Sequence, residues 1–216
     1  MKISASIEVI RASTITNLNP NLVKDFWVSL GECSTLRVLD ISHSGSLASK
    51  YKEIGNSVAF NAKKKGSLEY LNVRSCLNGA NAIVELYKGM CISEYDEERI
   101  YGDPNKVNKM IESNYKSMYY NNLKALEFKQ CSNINPNFSL SHFNKLLEKK
   151  DPEFVQLLAR SPNLENVSLS QAYLNKNMAE ILVLALDPRR AEFKSKIKVL
   201  DLSKNNLGKD GLKALT

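Results

Sequence analysis

Short alternations of apolar and polar residues punctuate this chain. In the clearest, Ile197-Lys-Val-Leu200-Asp-Leu202-Ser-Lys-Asn205-Asn-Leu207, apolar residues hold positions 1, 4, 6 and 11, and Asn holds position 9. Positions 4 and 6 flank a polar residue, as a short strand with one buried face requires. The spacing recurs at Leu36–Ser44, Leu68–Cys76, Leu123–Cys131 and Leu164–Ala172. A weaker first copy fits Ser4-Ala-Ser-Ile7-Glu-Val9-Ile-Arg-Ala12, with Ser where an aliphatic residue belongs. Position 9 is expected to turn inward at the strand's end. Asn there can hydrogen-bond loop backbone, whereas Cys, Ala or Ser fills the same small space more weakly.

The intervals leave room for helices. Leu36 and Leu68 are 32 residues apart, and Leu164 and Ile197 are 33. Leu68 to Leu123 spans 55 and Leu123 to Leu164 spans 41, so the third and fourth units are longer than their neighbours. Asn21 to Leu30 places Leu22, Phe26 and Leu30 on one face, beside Val23 and Trp27, with Pro20 as a start signal. Helical spacing also predicts helices over 47–60, 80–88, 105–119, 141–149 and 177–186, and a short one around Phe154–Leu158. Lysines 63–65 end the second of these helices. Val107, Met110, Ile111 and Met118 form the apolar stripe expected over 105–119.

The unit L-x-x-L-x-L-x-x-N/C-x-L resembles the leucine-rich repeat. The tail Asn205-Asn-Leu-Gly-Lys-Asp-Gly-Leu212 resembles the ribonuclease-inhibitor subfamily. Cys at position 9 in the third and fourth copies, with Gly-Glu-Cys33-Ser-Thr-Leu36, resembles the cysteine-containing subfamily found beside F-box motifs. The resemblance implies an α/β fold: a right-handed, curved solenoid of about six irregular repeats, with an inner parallel sheet and outer helices. It implies one domain over 1–216 with an insertion around 91–122. The sixth copy has no unit after it, so the expectation is a portion of a longer solenoid or an end covered by a partner.

Composition adds little to this. A hydrophobic content of 43% and a charged content of 25% are ordinary for a globular chain. The net charge of +7 is spread rather than clustered, so nucleic acid is not the expected partner. No run of apolar residues is long enough for a membrane span, and the first residues lack the apolar core of a secretory signal. Cys33, Cys76, Cys91 and Cys131 form no C-x-x-C pair, and two of them sit at position 9. Buried free thiols in a reducing, cytoplasmic compartment are expected. Lys- and Asn-rich usage resembles that of AT-rich protist genomes, which suggests a place in a large assembly such as a cilium or the cytoskeleton.

Candidate chemistry is that of a surface. No metalloprotease, hydrolase, nucleotide-binding or zinc motif appears, so no catalytic residue, cofactor, metal or small-molecule substrate is expected. The expected partner is another protein, bound on the concave face of the sheet. Position 5 contributes Glu8, Asp40, Asn72, Glu127, Ser168 and Asp201; position 7 contributes Arg74 and Lys129; position 8 contributes His43, Gln130, Gln171 and Lys204. Position 2 reads Arg37, Glu69, Lys124, Glu165, Lys198, either a ladder of surface ion pairs or a recognition stripe. The insertion is a second candidate, because Glu94, Asp96, Glu97, Glu98, Arg99 and Asp103 sit near Tyr95, Tyr101, Tyr115, Tyr119 and Tyr120. The plainer expectation there is a solvated loop leading into a packed helix. The resemblance leaves two other readings open: the substrate-recognition repeats of an F-box-type ubiquitin ligase receptor, and a GTPase regulator like the Ran GTPase-activating protein.

Overall fold

The computed structural model describes residues 6–15, 19–44, 50–76, 82–110, 116, 118–131, 153–187, 189 and 195–215. In chain order the elements are β1 (Val9–Arg11), α1 (Pro20–Glu32), β2 (Val38–Asp40), α2 (Tyr51–Lys63), β3 (Tyr70–Asn72), α3 (Ala82–Met90), β4 (Cys91–Ile92), α4 (Glu94–Tyr101), α5 (Pro104–Val107), β5 (Met118–Tyr119), β6 (Ala125–Glu127), α6 (Glu153–Ala159), β7 (Asn166–Ser168), α7 (Lys176–Leu186), β8 (Val199–Asp201) and α8 (Gly208–Ala214). Strands β1, β2, β3, β6, β7 and β8 form one six-stranded sheet in that order, and every pairing in it is parallel.

Strict alternation makes one face of this sheet a core. Leu39, Leu71, Leu126 and Val167 at position 4, and Ile41, Val73, Phe128 and Leu169 at position 6, are all buried. They pack in one cluster with Trp27, Leu30, Ile54, Leu86 and Leu182 from the helices. Burying each such side chain stabilises the fold by about 1.5–3 kcal/mol. Asn19 caps α1 by accepting the Asn21 amide N–H, and Pro20 opens the helix.

The first copy lies in a different register from the one its apolar residues suggest. Val9 pairs with Val38, Ile10 with Leu39 and Arg11 with Asp40. The copy therefore begins at Ile7, which puts Glu8 at position 2 and Arg11, not Glu8, at position 5. Hydrogen bonds from position 9 establish this independently. Ser44 Oγ donates to the Ala12 carbonyl (2.5 Å), Cys76 Sγ to Ile41 (3.0 Å), Cys131 Sγ to Val73 (3.3 Å) and Asn205 Nδ2 to Leu169 (2.8 Å). Each acceptor is position 6 of the preceding strand, so Ala12 is position 6. Position 3 misled because it also carries exposed apolar residues: Val9 is 46% exposed and Val199 54%.

The turn after each strand repeats as well. Thr14, His43, Ser75, Gln130, Gln171 and Lys204, all at position 8, have φ between 54° and 58°. The His43 N–H donates to the Arg74 carbonyl, Ser75 to Lys129, Gln130 to Ser170 and Gln171 to Ser203. The ladder therefore continues beyond the strands proper. His43 stands in this turn rather than on the strand.

The segment between β3 and β6 departs most from expectation. Cys91 pairs with Tyr119 and Ile92 with Met118 in a separate antiparallel ribbon. Between them α4 replaces the expected loop. Ser93 and Asp96 form a reciprocal capping box at its start. Among the described residues of the helix expected over 105–119, only those up to Val107 are helical, in Pro104–Val107, and Met118 lies on a strand; residues 111–115 and 117 lie outside the described residues. The helix expected over 141–149 lies outside the described residues, as do His142 and Tyr115.

Helices α2 and α3 cross with their backbones almost touching. A Cβ on Gly55 would lie 2.8 Å from Gly89 Cα and closer still to the Leu86 carbonyl oxygen. A Cβ on Gly89 would lie 3.0 Å from the Asn56 nitrogen and closer still to the Lys52 carbonyl. Glycine is required at both positions because each faces backbone, not a side chain that could move aside.

Candidate partner-binding face

Positions 3, 5 and 7 emerge on the face of the sheet opposite the core, because neighbouring residues of a strand point to opposite sides. Position 5 is partly committed to local structure. Asp40 Oδ1 accepts the Ser42 N–H (2.9 Å), Asn72 Oδ1 the Arg74 N–H (3.0 Å) and Asp201 Oδ1 the Ser203 N–H (3.0 Å). These are Asx turns that open the left-handed bend. The Ser203 amide, the largest influence, holds the Asp201 carboxyl below the usual carboxylate range.

The remaining polar residues form networks. Tyr70 Oη donates to Glu127 Oε1 (2.8 Å), and Lys129 lies 3.6 Å from the other carboxylate oxygen. Arg74 Nε and Ser75 Oγ both donate to Gln130 Oε1, and Gln130 Nε2 donates to Gln171 Oε1. Ser168 Oγ donates to Asp201 Oδ2. Burial, then the bond to Glu127, pushes the Tyr70 hydroxyl above its ordinary value. Of the residues expected here, Arg74 contacts Gln130 and Gln130 contacts Gln171; His43 and Lys204 stand exposed at the turns.

Position 2 is a charge ladder. With Glu8 in place, the order is Glu8, Arg37, Glu69, Lys124, Glu165, Lys198, alternating in sign. Arg37 lies 3.5 Å and Lys124 2.8 Å from Glu69, and Lys198 lies 3.0 Å from Glu165. The Lys124 hydrogen bond is the largest influence lowering the Glu69 carboxyl below its ordinary value. Such exposed pairs contribute about 0–1 kcal/mol each.

The same face holds a shallow groove of about 390 Å³, with Tyr70 and Val199 at its ends and Ala125, Asn166 and Ser168 between them. Of these five, only Ser168 stood among the candidate positions of the linear pattern; Tyr70, Ala125, Asn166 and Val199 did not. The groove exists because Ala125 is short where its lateral neighbour Tyr70 is long, and that pairing is visible only once the strands are aligned.

A family model described as Leucine Rich repeat matches residues 194–215, the segment carrying β8 and α8. The match supports a leucine-rich repeat protein. No curated protein matches the chain. The mixed α/β architecture and its six-stranded parallel sheet fit a leucine-rich repeat-like fold. Leucine-rich repeats are typically non-enzymatic modules that bind other proteins. Among the described residues, no group of three or more His, Cys, Asp or Glu could hold a metal ion. No described helix is long and apolar enough to cross a membrane. The four cysteines form no disulfide, with Cys33, Cys76 and Cys131 buried and Cys91 half-buried.

Proposed function

We propose that this leucine-rich repeat chain is a non-enzymatic scaffold that holds a partner protein on the open face of its sheet. The groove between Tyr70 and Val199 carries this reading. It offers apolar contact at Ala125 and Val199, flanked by charged and amide groups already fixed by one another. Such a surface loses little conformational entropy when a partner arrives. The partner segment places a small apolar side chain in the groove. Its polar groups meet Glu127, Lys129, Gln130 and Lys204, with Asp40, His43, Asn72, Arg74, Gln171 and Asp201 extending the contact along the sheet.

Ala125→Arg fills the groove without touching the core. Cross-linking mass spectrometry in native cell extract should recover a partner attached through residues of this face. The variant should lose it while keeping the wild-type circular dichroism. A partner retained equally by the folded variant would overturn the proposal.

A further inference from the structure

The helix side of the molecule carries a second cleft, of about 190 Å³, where α4 leans on α1 and α2. Tyr101 holds α4 there. Its ring stacks on Phe60 with centroids 3.5 Å apart, and Glu97 pairs with both Lys63 and Lys64. Trp27, Ile100 and Tyr101 line the cleft, with exposed Lys24, Lys52 and Arg99 at its rim.

Two observations point to an occupant. Trp27 is 1% exposed, yet its indole N–H has no acceptor. Buried donors are nearly always satisfied, so this one invites a carbonyl or carboxylate from elsewhere. The charge is also unbalanced: with Arg99 paired to Asp96, Lys24 and Lys52 face a single carboxylate in the lining, Glu53. The acids of α4 do not correct this. Glu97 is held by the two lysines of α2, Glu98 by Lys106, and Asp96 by Ser93 and Arg99. Among the described residues, Lys24 and Lys52 make no ion pair.

We propose that this cleft docks an acidic peptide segment of a partner protein. One aliphatic or aromatic side chain enters against Trp27 and Ile100, and flanking carboxylates meet Lys24 and Lys52. The volume favours a single side chain, since sites for whole small molecules run to about 300–1,000 Å³. The indole N–H has no solvent-accessible surface, so meeting a peptide carbonyl there requires α4 to move outward. Docking on this side is independent of the sheet face.

Trp27 is the only tryptophan in the chain, which makes it a direct reporter. The full chain is titrated with an array of peptides free of Trp and Tyr. Each has a central Leu, Ile or Phe flanked by Glu and Asp, with matched sets carrying Gln, Lys, or Ala at the centre. Acidic peptides with the apolar centre should shift the Trp27 emission. Lys24→Glu with Lys52→Glu should weaken them about tenfold at low salt, while Ala125→Arg should leave them unchanged. The proposal is overturned if no acidic peptide shifts the emission, if the double variant binds as tightly, or if the Ala-centred or Gln-flanked peptides bind equally well.

Discussion

The crossing of α2 and α3 makes a sharp prediction, because local propensity and tertiary packing give opposite signs. Ala is a better helix former than Gly by about 0.8–1.0 kcal/mol, so propensity alone would have Gly55→Ala and Gly89→Ala stabilise the fold. The geometry says otherwise. The new Cβ on Gly55 would sit 2.8 Å from Gly89 Cα and 2.9 Å from its carbonyl carbon, against ordinary contacts of 3.4–4 Å. The helices must separate by several tenths of an ångström. Both flank the core residues Ile54 and Leu86, so that separation loosens the centre of the molecule. Overpacking of this kind costs about 1–3 kcal/mol, and backbone on the receiving side puts it at the upper end. Subtracting the propensity gain leaves each substitution destabilising by about 2 kcal/mol, or about 4–8 °C in Tm for a chain of this size. The double variant should cost less than the sum of the two, because helices already parted by one methyl admit the second. Urea and thermal unfolding followed by circular dichroism and Trp27 fluorescence would measure all three. Neutral or stabilising single variants, or strict additivity, would refute the close approach.

Two further outcomes test different parts of the fold. Asn61 is fully buried; its Nδ2 donates to the Cys33 carbonyl (2.8 Å) and its Oδ1 accepts the Leu68 N–H (3.1 Å). Asn61→Ala strands the Leu68 N–H, while the Cys33 carbonyl keeps the Leu36 N–H (3.3 Å); it should cost about 1–3 kcal/mol in a urea titration, so a loss below about 0.5 kcal/mol would show that water replaces the side chain. Alkaline pH should also unfold the protein. Burial pushes the Cys76 thiol from 9.0 to about 11 and the Tyr87 hydroxyl from 10.0 to about 12. Both groups ionise at lower pH in the unfolded chain, so their contribution is fully present below about pH 9 and falls away as pH rises from there towards the folded values. Tm measured from about pH 8 upward should decline beyond pH 9, and a flat profile would contradict the burial of these groups.

How much of this was legible in advance depended on the range of the interaction. The 1-4-6 spacing located β2, β3, β6, β7 and β8, because each core face is encoded within six residues. Helix α1 was readable from Pro20 and its apolar face. Strand β1 was misplaced by three residues, since Ile7-x-Val9 imitates positions 4 and 6, and only pairing with β2 reveals Ile10 and Ala12 as the inward residues. The β4–β5 ribbon joins Cys91 to Tyr119, and no local pattern announces a partner that distant. Helix α4 could have been found, because Ser93-x-x-Asp96 is a capping signal, but its many charges favoured a loop. Of the candidate face, the charged columns were visible and the groove was not. Its depth comes from differences between lateral neighbours, and its acids turned out to serve the turns as well as the surface.

The six left-handed turns have a further consequence for how the protein could change. An L-residue in that conformation costs roughly 1–2 kcal/mol relative to the right-handed region, and glycine avoids the penalty. None of Thr14, His43, Ser75, Gln130, Gln171 and Lys204 is glycine, so each turn holds thermostability in reserve. Their side chains also line the margin of the face assigned to a partner. Tighter turns and a richer contact surface therefore compete for the same six residues. Exchanging them for glycine one at a time would harden the scaffold while stripping its margin, an evolutionary trade-off confined to one residue per strand.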